Sequence, residues 1–92
     1  MQKIEHIGIA VASLEQSIQK YELLLGVSCY KVEEVASEAV KTAFFMVGDT
    51  KIELLEGTTE ESVITKYVSS KGEGIHHIAY GVTDIKAEMI RL

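Results

Sequence analysis

Ile4-Glu5-His6-Ile7-Gly8-Ile9-Ala10-Val11-Ala12-Ser13-Leu14 and Ile75-His76-His77-Ile78-Ala79-Tyr80-Gly81-Val82-Thr83-Asp84-Ile85 lie over one another at a single shift of 71 residues. Ile4, His6, Ile7 and Val11 recur identically, small residues stand two and four places after the shared histidine, and a polar capping residue follows at each junction. Chance repeats one histidine far more readily than it repeats the histidine, the small residues and the cap together. Each copy therefore reads as a strand that runs into a helix, and the chain as an internal repeat.

Outward from the first copy, residues 3–11 form a strand and Ser13 with Gln16 a capping box. Leu14, Ile18, Tyr21 and Leu25 recur at helical spacing until Gly26 ends the helix. Residues 27–35 and 39–47 are rich in β-formers, and Gly48-Asp49-Thr50 turns tightly into a strand over 51–56. Gly57 to Glu61 opens a second helix, with Val63, Ile64, Tyr67 and Val68 on one face, that ends near Lys71-Gly72. The order is βαβββ, a helical connector, then β and the start of α again. The expected class is α+β, built of paired βαβββ modules in one domain over residues 1–92. The first module covers about 1–57, the connector 58–72 and the start of the second module 73–92. By analogy with the first copy, the second stops inside its helix at Leu92, about three strands short. The expectation is a truncated second module, completed in a longer protein or by a partner chain.

The 92 residues leave room for one core. Apolar residues make up 47% and charged residues 25%, and no stretch approaches the ~18 consecutive apolar residues of a membrane span. Fourteen acidic against nine basic side chains give a net charge of −5, with the lysines dispersed, which argues against a nucleic-acid surface. Cys29 stands alone and the N-terminus carries no signal or transit pattern, so a reducing, cytoplasmic setting is expected.

Alternate side chains of a strand point to opposite faces, so parity locates the chemistry. Ile7, Ile9 and Val11 share one face of the first strand, and His6, Gly8 and Ala10 the other. In the second copy His77, Ala79 and Gly81 share a face opposite Ile78, Tyr80 and Val82. Bulky faces suit packing under helices, whereas small neighbours leave space beside each imidazole, so both histidines open into a hollow. If Ile52 and Leu54 pack beneath the helices, Glu53 points into the same hollow. Two imidazoles and a carboxylate on a concave face suit a divalent metal with positions left open for substrate. His76 has the opposite parity and reads as a structural residue or one supporting a ligand. No nucleophile elbow, P-loop, paired-cysteine motif or dinucleotide fingerprint is present.

The runs His6 to Val11, Tyr21 through Leu25-Gly26, Val47 to Glu56 and Gly72 to Ala79 resemble the vicinal oxygen chelate superfamily, and within it the methylmalonyl-CoA epimerase family. That resemblance implies a cup of paired βαβββ modules around one divalent ion (Co, Mn, Ni, Zn or Mg) with His6, Glu53 and His77 as three ligands. It implies epimerisation of methylmalonyl-CoA by C2 proton transfer through a metal-stabilised enolate, an acyl-CoA thioester as small-molecule partner, and a homodimer. A fourth ligand, a glutamate that also moves the proton, is expected beyond Leu92, so the catalytic residue is unassigned. Where some relatives place a second glutamate this chain has Thr42, a candidate substrate-binding residue; Glu38 is the nearest carboxylate in sequence. The rival readings are a lactoylglutathione lyase (glyoxalase I), with related ligands and enediolate chemistry, and a truncated inactive or metal-free binding form of the fold.

Overall fold

The computed structural model describes residues 3–81 and 87–91. Its elements are β1 (Lys3–Ala10), α1 (Leu14–Leu25), β2 (Lys31–Val35), β3 (Val40–Val47), β4 (Thr50–Gly57), α2 (Val63–Lys71), β5 (Gly74–Gly81) and β6 (Ala87–Arg91). One six-stranded sheet runs in the order β2-β3-β4-β1-β5-β6. β1 is parallel to β4 and antiparallel to β5, so the two copies of the repeated strand lie side by side within it.

α1 begins at Ser13, whose hydroxyl accepts from the Gln16 amide at 3.3 Å, and ends at Gly26, which adopts a left-handed φ of 71°. Leu14 with Val11, Ala43, Phe45 and Leu54 makes the buried core on one face of the sheet, and Ile18, Tyr21 and Leu25 pack against it. Phe45 and Leu54 are fully buried. Two carboxylates, one on β4 and one in the link between α2 and β5, finish the entry to this helix: Glu56 accepts from the Leu14 amide at 2.8 Å and Glu73 from the Ala12 amide at 2.7 Å. Negative charge there complements the positive end of the helix dipole.

α2 packs on the opposite face of the sheet, the one that carries the small residues and the histidines. Ile64, Tyr67 and Val68 lie over Ala10, Leu55 and Val40, while Val63 turns outward at 62% exposure. Close approach of Gly57 permits this: a Cβ there would meet the Thr65 amide nitrogen at 2.7 Å and the Ser62 hydroxyl at 2.8 Å. α2 consequently fills one end of the hollow face and leaves the rest concave.

Two elements differ from their expected extents. The strand expected over 27–35 narrows to Lys31–Val35, because Val27 and Cys29 pack on the α1 core and the Glu22 carboxylate takes the Cys29 amide at 2.9 Å. Where a helix was expected after Asp84, residues Ala87–Arg91 form β6, pairing antiparallel with β5 from Gly81↔Ala87 to His77↔Arg91. The outer edge of β5 presents open ladder groups that a strand satisfies, whereas a helix of about two turns is marginal unless packed. Val82, Thr83, Asp84 and Leu92, on which the second copy's capping residue and end were read, lie outside the described residues.

Candidate metal centre

Register carries three side chains to one spot. Gly8 sits opposite His77 on β5 and opposite Glu53 on β4, and His6 lies two residues before it on the same face of β1. One ligand atom from each of His6, Glu53 and His77 falls within a group whose members are all within 4.8 Å of one another. The Nε2 atoms of His6 and His77 are 3.2 Å apart, and the Glu53 Oε2 stands 3.9 Å from the His6 Nδ1. His77 is buried at 8% exposure; the His6 and Glu53 side chains are 14% and 15% exposed.

Gly8 makes the arrangement possible. A Cβ on this residue would lie within 2.7 Å of three atoms of the His77 ring. The small residue beside the histidine therefore cradles the imidazole of the other copy, as the alternation of small side chains implies.

Two β-bulges refine the parity. One residue of β1, Glu5, has no counterpart between Ile4↔Tyr80 and His6↔Ala79, and one residue of β5, His76, has none between Gly8↔His77 and Ile9↔Ile75. A bulge inserts a residue and re-aims side chains. His76, expected on the opposite face, instead lines the hollow beside His77, with Nδ1 3.0 Å from the His77 Nδ1. Tyr67 of α2 packs edge-on to His76 at 5.0 Å between ring centroids and donates its hydroxyl to the Ile75 carbonyl at 2.8 Å. Glu5, which residue-by-residue reading passes over, hydrogen-bonds the His6 Nδ1 and lies 3.7 Å from the Lys51 ammonium. Its one sequence signal is that it occupies the same place in the repeat as His76.

The electrostatics follow from these neighbours. The His6 hydrogen bond holds the Glu5 carboxyl below the ordinary glutamate value, with Lys51 acting the same way. Burial pushes Glu53 above that value, against the pull of His6 and Lys51. A buried carboxylate beside two imidazoles is a position that a cation would relieve.

The donor set and spacing fit a divalent ion. Two nitrogens each about 2.1 Å from a common ion lie about 3.0–3.4 Å apart at right to tetrahedral angles, and the observed separation falls inside that span. Imidazole and carboxylate ligands together suit several first-row divalent ions.

The trio lies in a cleft of about 900 Å³ whose wall includes Thr42, Phe44, Leu55, Ile64 and His76. Thr42, 7% exposed, sits on its floor opposite Leu55 on β4 and Glu33 on β2. Glu33, Glu38 and Glu61 add carboxylates to the lining. Among the described residues, no helix is long and apolar enough to cross a membrane.

Residues 5–92 match the family profile described as Glyoxalase/Bleomycin resistance protein/Dioxygenase superfamily. The chain belongs to that superfamily. Its cup of paired strand–helix modules is the superfamily's fold. A hypothetical protein of Bacillus halodurans C-125 superposes with a TM-score of 0.83 at 47% identity, covering 88% of this chain and 59% of that one. The ethylmalonyl-CoA/methylmalonyl-CoA epimerase of Cereibacter sphaeroides is 35% identical over 91 residues, covering 98% of this chain and 68% of the relative. A Streptomyces coelicolor methylmalonyl-CoA epimerase variant in complex with 2-nitronate-propionyl-CoA superposes with a TM-score of 0.78 at 33% identity, covering 89% of this chain and 61% of that one. Within the superfamily the chain is thus epimerase-like, and it spans between 51% and 68% of the length of such curated relatives.

Proposed function

We propose that this chain serves metal-dependent epimerisation of methylmalonyl-CoA by proton transfer at C2. The observation that carries the reading is the convergence of His6, Glu53 and His77 beside the Gly8 cradle, on a fold shared with acyl-CoA epimerases.

The proton at C2 of the substrate lies between a thioester and a carboxylate, and its removal places charge on the thioester oxygen. A divalent cation (Co, Mn, Ni, Zn or Mg) at this site would supply Lewis-acid stabilisation of that charge and a template for the two substrate oxygens. His6, Glu53 and His77 are the residues proposed to hold it. Phe44, Leu55 and Ile64 present apolar wall that excludes water around the reacting carbon. Thr42 offers a hydroxyl for orienting substrate; it is too weak a base to take the C2 proton. The carboxylates of the lining disfavour the free carboxylate of the substrate unless positive charge is added. The cation would supply it; Lys31 and Lys51 stand near the Phe44 ring, 4.9 and 6.0 Å from its centre, and pair with Glu33 and Glu5.

The same reading divides the chain into a module over 1–57, a connector over 58–72 and the start of a second module over 73–92. It also includes a homodimer, supported by β2, a terminal strand of the sheet with all five residues exposed.

The test is incubation of metal-loaded protein with one epimer of methylmalonyl-CoA in deuterated water. Deuterium at C2 is expected. Absence of exchange together with turnover of a glutathione hemithioacetal would replace the epimerase reading with glyoxalase chemistry.

A further inference from the structure

Each proposed ligand histidine is preceded by a bulge residue that bonds to its Nδ1: Glu5 to His6, and His76 to His77. The two bulges fall at the same position of the 71-residue repeat, so the device is built twice. With both Nδ1 atoms engaged, the Nε2 atoms face each other at 3.2 Å.

The direction of these bonds follows from donor and acceptor chemistry. An ionised carboxylate only accepts, so the His6 Nδ1 carries the proton and donates to Glu5. The His6 Nε2 is then a lone pair. It faces the His77 Nε2 at 3.2 Å. One carboxylate thus sets the tautomer of His6. Lys51, opposite His6 in the β1–β4 ladder, steadies Glu5 from its other oxygen at 3.7 Å, and the Thr50 hydroxyl fixes the bulge by donating to the Ile4 carbonyl at 3.1 Å.

We propose that Glu5 is a positioning residue of the metal centre, holding His6 in the Nδ1–H tautomer with Nε2 turned to the ion. This rests on the metal-site reading above and adds a role for a residue that is not itself a ligand. A carboxylate behind a ligating histidine orients the ring and raises its basicity, and loss of such a partner typically weakens metal binding 10–100-fold. The Nδ1–H form of His6 already presents its Nε2 lone pair to an ion, so at this end no proton has to move.

The experiment compares wild type, Glu5→Leu and Glu5→Gln. Long-range proton–nitrogen NMR of the imidazoles in metal-free protein reads the His6 tautomer, and Mn²⁺ titration reads affinity. Wild type is expected to show the Nδ1–H form of His6. Glu5→Leu should lose that preference and bind Mn²⁺ about 10–100-fold more weakly, while Glu5→Gln, which keeps an accepting oxygen, recovers most of both. An unchanged tautomer and affinity in Glu5→Leu, with the fold intact by circular dichroism, would overturn the proposal. Failure of wild type to bind Mn²⁺ would instead overturn the metal reading, and the tautomer comparison would still decide the role of Glu5 toward His6.

Discussion

The Nε2 atoms of His6 and His77 stand 3.2 Å apart although 71 residues separate them, because β1 and β5 lie antiparallel with Gly8 directly opposite His77. The pairing joins the two copies of the repeat within one sheet and turns a symmetric sequence feature into one site.

Gly8 is the tightest point of that arrangement. Gly8→Ala would place a methyl group within 2.7 Å of His77 ring atoms, so the ring must leave its position or the strands must part. Overpacking of this kind costs about 1–3 kcal/mol. Denaturant unfolding should show a loss of that order, and Mn²⁺ titration of the folded variant should show affinity lowered at least about 10-fold, the scale seen when a ligand histidine loses its proper setting.

Glu53 gives a prediction of opposite signs for stability and binding. Burial raises its folded carboxyl above the ordinary glutamate value. A group raised on folding favours the folded state below its unfolded value, and that contribution is lost as pH rises through the folded value. At neutral pH the ionised Glu53 therefore burdens the metal-free fold. Glu53→Gln should raise the thermal midpoint of metal-free protein at pH 7, with the gain shrinking toward pH 4, and should weaken Mn²⁺ binding. A lower midpoint at pH 7 would contradict the assignment of burial as the dominant influence.

How much of this was legible in the sequence depends on the residue. The repeat, the Ser13 and Gly26 ends of α1 and the gathering of His6, Glu53 and His77 on one face all follow from period and punctuation, since local propensity and strand parity agree there. The bulges were not legible. One inserted residue per strand breaks the two-residue alternation, so His76 was assigned to the wrong face and Glu5 passed over. The position of α2 was not legible either: the small side chain of Ala10 marks a surface that Ile64 can cover as readily as a void. The strand Ala87–Arg91 depends on the open edge of β5, a tertiary circumstance that the local pattern of residues 84–92 does not carry.

Glu56 separates stability from chemistry. Its carboxylate accepts from the Leu14 amide at the start of α1, on the side of the sheet away from the cleft's floor. Glu56→Ala should cost about 1 kcal/mol of unfolding free energy by loss of an anionic helix cap, measured in urea, and leave Mn²⁺ affinity unchanged.

Leu54 is the corresponding probe of the core. It is fully buried between β4 and α1, and Leu54→Ala should destabilise by about 2–5 kcal/mol through lost contact and a residual cavity. Unfolding monitored by far-ultraviolet circular dichroism reads this directly, and a loss below about 1 kcal/mol would show that the site collapses to fill the void.

Equilibrium titration of the protein with Co²⁺, followed by the visible absorption of the bound ion and repeated for His6→Ala, Glu53→Ala and His77→Ala, reaches the central claim most directly. One ion per chain is expected for wild type, with each substitution weakening binding and altering the spectrum, because all three side chains address one point. Binding that is absent in wild type, or indifferent to any one of the three substitutions in a folded variant, would contradict a shared metal centre.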